Sequence, residues 1–220
     1  VFHSIQGEGQ FAGVPSVFIR TSGCNLRCVW CDTPYTSWNP EGVERTLESL
    51  LQEAGSFECD HVVVTGGEPM LVPDVVPLTQ RLSQAGHTVT IETAGTVDQP
   101  VSASLISISP KLANSTPTAT DWAHRHDERR HQPDVIHRLT RDHDYQFKFV
   151  IDVLDDITEV EEYLAQFPHV TSERVYLMPQ AIDVGPLRQK SAWLLDEAQQ
   201  RGWHLSPRLH IEKFGNTRGT

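Results

Sequence analysis

Six short runs rich in Val, Ile and Phe, bounded by Gly, Pro or polar residues, read as strands at about 14–20, 61–65, 88–92, 105–108, 146–151 and 174–178. Stretches with helical spacing lie between several of them, at Val43–Ala54, Val72–Ala85, Thr158–Phe167 and Leu187–Arg201. Helix after strand, repeated, forces parallel pairing through right-handed crossovers, because a tight hairpin cannot join parallel neighbours. The pattern predicts an α/β chain with an open or incomplete βα barrel, and it excludes a β-sandwich. Ligands in such folds bind at the carboxyl ends of the strands. Thr65–Pro69, Glu92–Gly95, Ser109–Lys111 and Met178–Asp183 each follow a predicted strand, so four separated segments are expected to meet at one rim. Ala113–Asp144, rich in His, Arg, Asp and Thr with few apolar anchors, reads as a surface insertion with a short helix near Val135–Thr140. No repeat or low-complexity linker divides the chain, and 220 residues suit a single domain over 1–220.

Lys and Arg total 18 against 29 Asp and Glu, a formal net charge of −11. That balance opposes a broad grip on phosphates, so no nucleic-acid partner is expected. No apolar run approaches the roughly 20 residues of a membrane helix. The opening VFHSIQGEGQ lacks the basic-then-apolar layout of a signal peptide. The expected setting is cytoplasmic, with no membrane partner.

Cysteine placement narrows the chemistry. Cys24, Cys28 and Cys31 fall within eight positions, spaced C-x3-C-x2-C directly after a predicted strand, while Cys59 stands alone. Disulfide frameworks do not cluster in this way, so the three read as metal ligands. Three thiolates on one loop can hold three irons of a [4Fe–4S] cluster and leave the fourth iron open to a small molecule. A structural zinc site, and with it a zinc-stabilised binding module, is the alternative. It would need a fourth ligand from Cys59 or a distant His, and neither shows partner spacing.

The C-x3-C-x-aromatic-C loop, with Trp30 in the aromatic slot, resembles the radical S-adenosylmethionine (SAM) superfamily. Thr65-Gly66-Gly67-Glu68-Pro69 resembles that superfamily's GGEP segment, which contacts the SAM amino group. The resemblance implies an incomplete (βα)6-type barrel with a reduced or irregular set of crossover helices. It also implies a cluster that cleaves SAM reductively to a 5′-deoxyadenosyl radical. Ser4 to Gly9, Cys31-Asp32-Thr33, Thr65 to Met70, Ile91 to Thr93, Ser109 to Lys111 and Gln180 to Asp183 narrow the likeness. They resemble the 7-carboxy-7-deazaguanine synthase family, lyases of 7-deazapurine and queuosine biosynthesis.

What the family likeness implies is specific. Gln6, Glu8, Arg20 and Thr65, with the backbone around Ile5 and Gly7, contact 6-carboxy-5,6,7,8-tetrahydropterin, and His210 reaches it from near the C-terminus. The chemistry agrees: a pterin presents a guanine-like edge that Glu8 or Gln6 can pair, and its carboxylate suits the donor fork of Arg20. On residue type alone, Glu8 fits a turn and Arg20 a surface ion pair. Thr33 is implied as the Mg²⁺ ligand. Trp30, Gly67, Ser109, Pro110, Lys111, Gln180, Ala181, Ile182 and Asp183 are implied around SAM. Ala94 stands where many members carry Asn. His124, His126, His131, His137 and His143 read as surface residues, and Cys59 as no ligand. The family further implies a homodimer and an electron donor of flavodoxin or ferredoxin type. A glycyl-radical activating enzyme shares the cysteine spacing and is the rival enzyme reading, although nothing in it requires the Gln6-Gly7-Glu8 opening.

Overall fold

All six expected strands form, and two further strands join them at the edges. The computed structural model describes residues 1–220. In chain order the strands are β1 (Phe2–Ile5), β2 (Pro15–Thr21), β3 (His61–Gly66), β4 (Thr88–Thr93), β5 (Leu105–Ile108), β6 (Tyr145–Ile151), β7 (Val175–Pro179) and β8 (His204–Leu205). They make one sheet in that same order. β1 runs antiparallel to β2, and every later pair is parallel. The sheet does not close, so β1 and β8 are edges. The incomplete βα barrel is the architecture found, with seven parallel strands where six were expected. β1 and β8 have four and two residues, too few for a period of two to show in the sequence.

The two faces of the sheet differ in chemistry because successive side chains of a strand point to opposite sides. Val17 and Ile19, Val62 and Val64, Ile106 and Ile108, and Phe147 and Phe149 all belong to one core of 29 buried residues. Helices cover that face: α3 (Val75–Gln84), α5 (Pro133–Asp142), α6 (Asp155–Ala165) and α7 (Val184–Gln200). The alternate positions, among them Arg20, Thr65, Glu92, Lys148 and Met178, line a cavity on the concave face. A fully apolar β6 would give an ordinary core on both sides; Gln146 and Lys148 instead make its inner face polar. No helix is long and apolar enough to cross a membrane.

Helix ends follow local chemistry. α2 (Leu47–Ala54) starts four residues later than the spacing suggests, because the Thr46 hydroxyl accepts from the Ser49 N–H and caps it there. Val43 is left 81% exposed outside the helix. α6 starts three residues earlier, where the Asp156 carboxylate accepts from the Asp152 and Val153 N–H groups.

The stretch expected as a surface insertion is the β5–β6 crossover. It carries a short α4 (Ala123–Arg130) and then α5, whose Ile136 and Leu139 enter the main core. The helix expected near Val135–Thr140 is α5, and few apolar anchors suffice because it buries one narrow stripe, so the sequence shows the helix but not its place in the core. His126 is likewise no surface residue but 0% exposed. Leu139→Ala is expected to cost about 2–5 kcal/mol in urea denaturation, whereas His124→Ala on the exposed face of α4 should change stability by less than about 0.5 kcal/mol. Equal, near-zero effects would mean the stretch is an appendage after all.

Candidate active site

The cysteine loop leaves the carboxyl end of β2 and is held from outside at several peptide units. Val29 N–H donates to the Ser115 carbonyl at 2.9 Å, and the Trp30 and Trp38 indoles donate to Asn114 O and Cys28 O at 2.9 and 3.0 Å. Arg27 N–H donates to His126 Nδ1 at 3.1 Å. The Ser115 hydroxyl donates to Leu112 O, so it accepts from His126 Nε2, which lies 2.9 Å away. That arrangement needs a neutral imidazole with its proton on Nε2, and burial lowers the His126 pKa to about 4.

All four cysteines are unbridged. Burial pushes the Cys28 thiol up to about 12 and raises Cys24 as well. Such thiols are poor free nucleophiles but suitable ligands, because a bound cationic centre supplies the charge that deprotonates them. Leu26 N–H donates to Cys24 Sγ at 3.4 Å, and the Ser37 hydroxyl lies 3.3 Å from Cys31 Sγ. Hydrogen bonds to sulfur are a feature of iron–sulfur sites. No three His, Cys, Asp or Glu side chains converge as around one metal ion. Cys59 lies before β3, at the amino end of the sheet, and donates to Pro15 O. His126 has both nitrogens engaged. A tetrahedral zinc site thus lacks a fourth ligand, whereas three separate thiols bordering one cavity fit a [4Fe–4S] cluster.

Gly66 and Gly67, at the end of β3, press against the start of this loop. A Cβ on Gly67 would sit 2.1 Å from Gly23 O, and Gly66 has φ +142°, so neither position accepts a side chain. Glu68 is not a cavity wall but a latch. Its buried carboxylate accepts from Thr93 Oγ1, Ala94 N–H and Met70 N–H at 2.9, 2.8 and 3.2 Å. Burial raises its pKa against those hydrogen bonds.

The Gln6–Glu8 segment, between β1 and β2, folds across the concave face. Lys148, whose side chain is 3% exposed, lies 2.7 Å from Glu8 and 2.8 Å from Glu92. Gln6 donates to Glu92 at 3.1 Å, and buried Arg208 bridges Glu8 and Asp32 at 3.1 and 2.6 Å. Burial alone would raise the Glu8 carboxyl, but Lys148 and Arg208 outweigh it and hold the pKa well below the carboxylate range. Burial would likewise lower Lys148, yet its two carboxylates raise it. Arg20 donates to the Tyr35 hydroxyl at 2.8 Å and lies over the Phe2 ring, while its buried Nε has no partner. His210 faces Glu8 at 3.8 Å and packs so closely on Gly7 that a Cβ there would meet its ring at 2.0 Å.

The family model of the radical SAM superfamily matches residues 18–161. A curated 7-carboxy-7-deazaguanine synthase from Rhodopirellula baltica is 48% identical over all of this chain and 86% of its own length. The chain belongs to the 7-carboxy-7-deazaguanine synthases of the radical SAM superfamily. The Halobacterium salinarum synthase is 42% identical over 96% of this chain and 87% of its own. A crystal structure of QueE from Escherichia coli superposes with a TM-score of 0.69 at 28% identity, covering 93% of this chain and 90% of that one. Radical SAM membership brings with it a [4Fe–4S] cluster and SAM.

In this synthase the cavity is bordered by Ile5, Gln6, Gly7, Glu8, Arg20, Thr65 and His210 together with the three cysteines, Trp30 and Gly67. Thr33, Ser109 and Lys111 complete it, with Lys111 donating to Ser109 Oγ at 2.7 Å. Pro110 and Gln180–Asp183 do not border it. Ala181 packs with Leu187 and Ile211, Ile182 is 40% exposed, Asp183 precedes α7, and Gln180 accepts from Lys190. Ala94 packs its methyl on Leu26 and Cys28, an apolar contact. Sequence reasoning missed Lys148, Arg208, Glu92 and His126 as working residues. A lone Lys inside the apolar run QFKFV was the one available signal.

Two outcomes follow from this geometry. His126→Ala should bind less iron than the parent after reconstitution, with His126→Asn, which keeps an acceptor for Arg27 N–H, recovering most of it; Cys59→Ser should bind iron as the parent does. Glu8→Gln should be less stable than the parent at pH 7. Because the contribution of the depressed Glu8 pKa is full above its unfolded value of about 4.5 and is lost progressively below it, that gap should narrow as the pH falls below about 4.5 in denaturation curves.

Proposed function

We propose that the chain converts 6-carboxy-5,6,7,8-tetrahydropterin to 7-carboxy-7-deazaguanine with loss of ammonia, in the biosynthesis of 7-deazapurines such as queuosine. The observation that carries this reading is that the three cysteines and the Gln6–Glu8 segment border one cavity at the strand ends. When bound there, the cluster and SAM supply one-electron cleavage and hydrogen-atom abstraction, and the protein supplies position and charge.

Glu8 is kept ionised by Lys148 and Arg208, so it can accept from the N–H groups on the guanine-like edge of a pterin. Gln6 is oriented by Glu92 to complete that edge. Arg20 offers a guanidinium whose buried Nε has no partner, which suits a substrate carboxylate. Thr65 and His210 border the same space. Lys111 gives a point charge for the SAM carboxylate, Ser109 a hydroxyl for its ribose, and Gly67 room for its amino group. The Thr33 hydroxyl, beside Arg20 on the cavity wall, is the protein oxygen we assign to Mg²⁺, which keeps most of its waters. Family resemblance further supports a cytoplasmic homodimer reduced by a flavodoxin-like or ferredoxin-like donor.

The test is anaerobic reconstitution with iron and sulfide, then mass spectrometry of a reaction with SAM, reductant, Mg²⁺ and the carboxytetrahydropterin. Product without net loss of SAM is expected. SAM cleavage with an intact pterin would overturn the substrate assignment and leave the superfamily standing. Arg20→Met should raise KM roughly 10- to 150-fold, the loss of about 1.5–3 kcal/mol from a charge-assisted pair.

A further inference from the structure

We propose that the Ser37 hydroxyl donates a hydrogen bond to the Cys31 thiolate and thereby raises the reduction potential of the [4Fe–4S] cluster, so that Ser37 tunes the one-electron step. This rests on the reading of Cys24, Cys28 and Cys31 as the cluster ligands.

The three sulfurs are not equivalent. Cys24 Sγ accepts from the Leu26 N–H at 3.4 Å, Cys28 Sγ accepts from no protein group, and Cys31 Sγ has the Ser37 hydroxyl at 3.3 Å. Thr33 Oγ1 is farther from that sulfur, at 3.9 Å. Between a free thiol and a hydroxyl either atom can donate. A thiolate bound to iron has no proton to give, so in the loaded enzyme the hydroxyl must be the donor.

Local structure aims the hydroxyl at the sulfur. Ser37 ends α1 (Pro34–Ser37), a single turn that folds back onto the cysteine loop. A helical serine ordinarily bonds back to the carbonyl four positions earlier, which here is Thr33 O. Thr36 occupies that oxygen twice, through its N–H at 2.8 Å and its hydroxyl at 2.9 Å, and a carbonyl has only two lone pairs. The residues flanking Ser37 are themselves tied to the loop. Thr36 O accepts from Gly23 N–H at 2.9 Å, and the Trp38 indole donates to Cys28 O at 3.0 Å. Ser37 is 3% exposed and makes no other hydrogen bond, so water does not compete for its proton.

The consequence has a definite sign. Reduction adds one electron to the cluster, and part of the added charge falls on the ligand sulfurs. A donor beside one of them stabilises the reduced state more than the oxidised one and raises the potential. Away from water this preference is weakly screened. A higher potential eases the loading of the electron and leaves the reduced cluster a milder reductant.

The test compares the reconstituted parent with Ser37→Ala and with Ser37→Thr, which keeps the hydroxyl. Iron content is measured first. The reduced-cluster electron spin signal is then followed against potential during stepwise reduction with dithionite, and exchangeable protons coupled to the cluster are counted by electron–nuclear double resonance before and after transfer to heavy water. Ser37→Ala should hold parental iron and lose one exchangeable-proton coupling. Its reduction should become about three- to tenfold less favourable, where tenfold is about 59 mV for a one-electron couple. Ser37→Thr should return toward the parent in both readouts. An unchanged potential in Ser37→Ala with the cluster intact would overturn the proposal. So would loss of iron in that variant, which would make Ser37 a brace for the loop. A shifted potential with every exchangeable proton retained would trace the change to packing and overturn it too. A parent without a [4Fe–4S] signal would defeat the ligand reading, and this proposal with it, before any variant is compared.

Discussion

A single buried ammonium organises the interior of this half-barrel. Lys148 projects from β6 into the concave face, between carboxylates from the β1–β2 connection and from β4. A lone charge at 3% exposure would be intolerable, so Glu8 and Glu92 must come to it. With them come the segments that carry Gln6 and the end of β4. Arg208 extends the network to Asp32, next to Cys31, and thereby links the Gln6–Glu8 segment to the cysteine loop. Buried ion networks of this kind are weak contributors to stability but strict about geometry, which is what a site holding two ligands in fixed relation needs.

The β5–β6 crossover serves the same site from the other direction. Its helix α5 closes the apolar face, while the turn and helix before it supply Ser115 and His126 to peptide N–H groups between the cysteines and the Asn114 carbonyl to the Trp30 indole. One segment therefore covers the core and shapes the loop. A neutral His126 is suited to this place because it can accept from a backbone N–H while donating to a hydroxyl. A charged one would add positive charge behind the loop at the cost of desolvation.

Much of the site was legible because its signals are local. The three cysteines lie within eight residues, and metal-ligand spacing survives any arrangement of the rest. The Gly66-Gly67 pair and the Gln6–Glu8 opening carry similar short-range patterns. The six interior strands were legible because burial on both faces leaves continuous Val, Ile and Phe runs. β8 and β1 were not, because two and four residues do not establish a period. α5 was legible as a short helix near Val135–Thr140, but not as part of the core, because a one-sided crossover needs only a few apolar positions among many charges. Gln180–Asp183, which the family pattern puts beside SAM, lies next to the rim in space without bordering the cavity.

By itself the amino-acid sequence determined the strand–helix alternation, the ligand spacing and the glycines that let backbones touch, since each depends on neighbours a few positions apart. Only the tertiary structure decided which charges meet. Glu8 and Arg208 are 200 positions apart, Lys148 and Glu92 are 56 apart, and Arg27 and His126 are 99 apart. No local pattern encodes such pairings. They exist because parallel strands bring their carboxyl ends to one rim, where burial makes every unpaired charge costly and leaves each polar group only the partners that the sheet order places beside it.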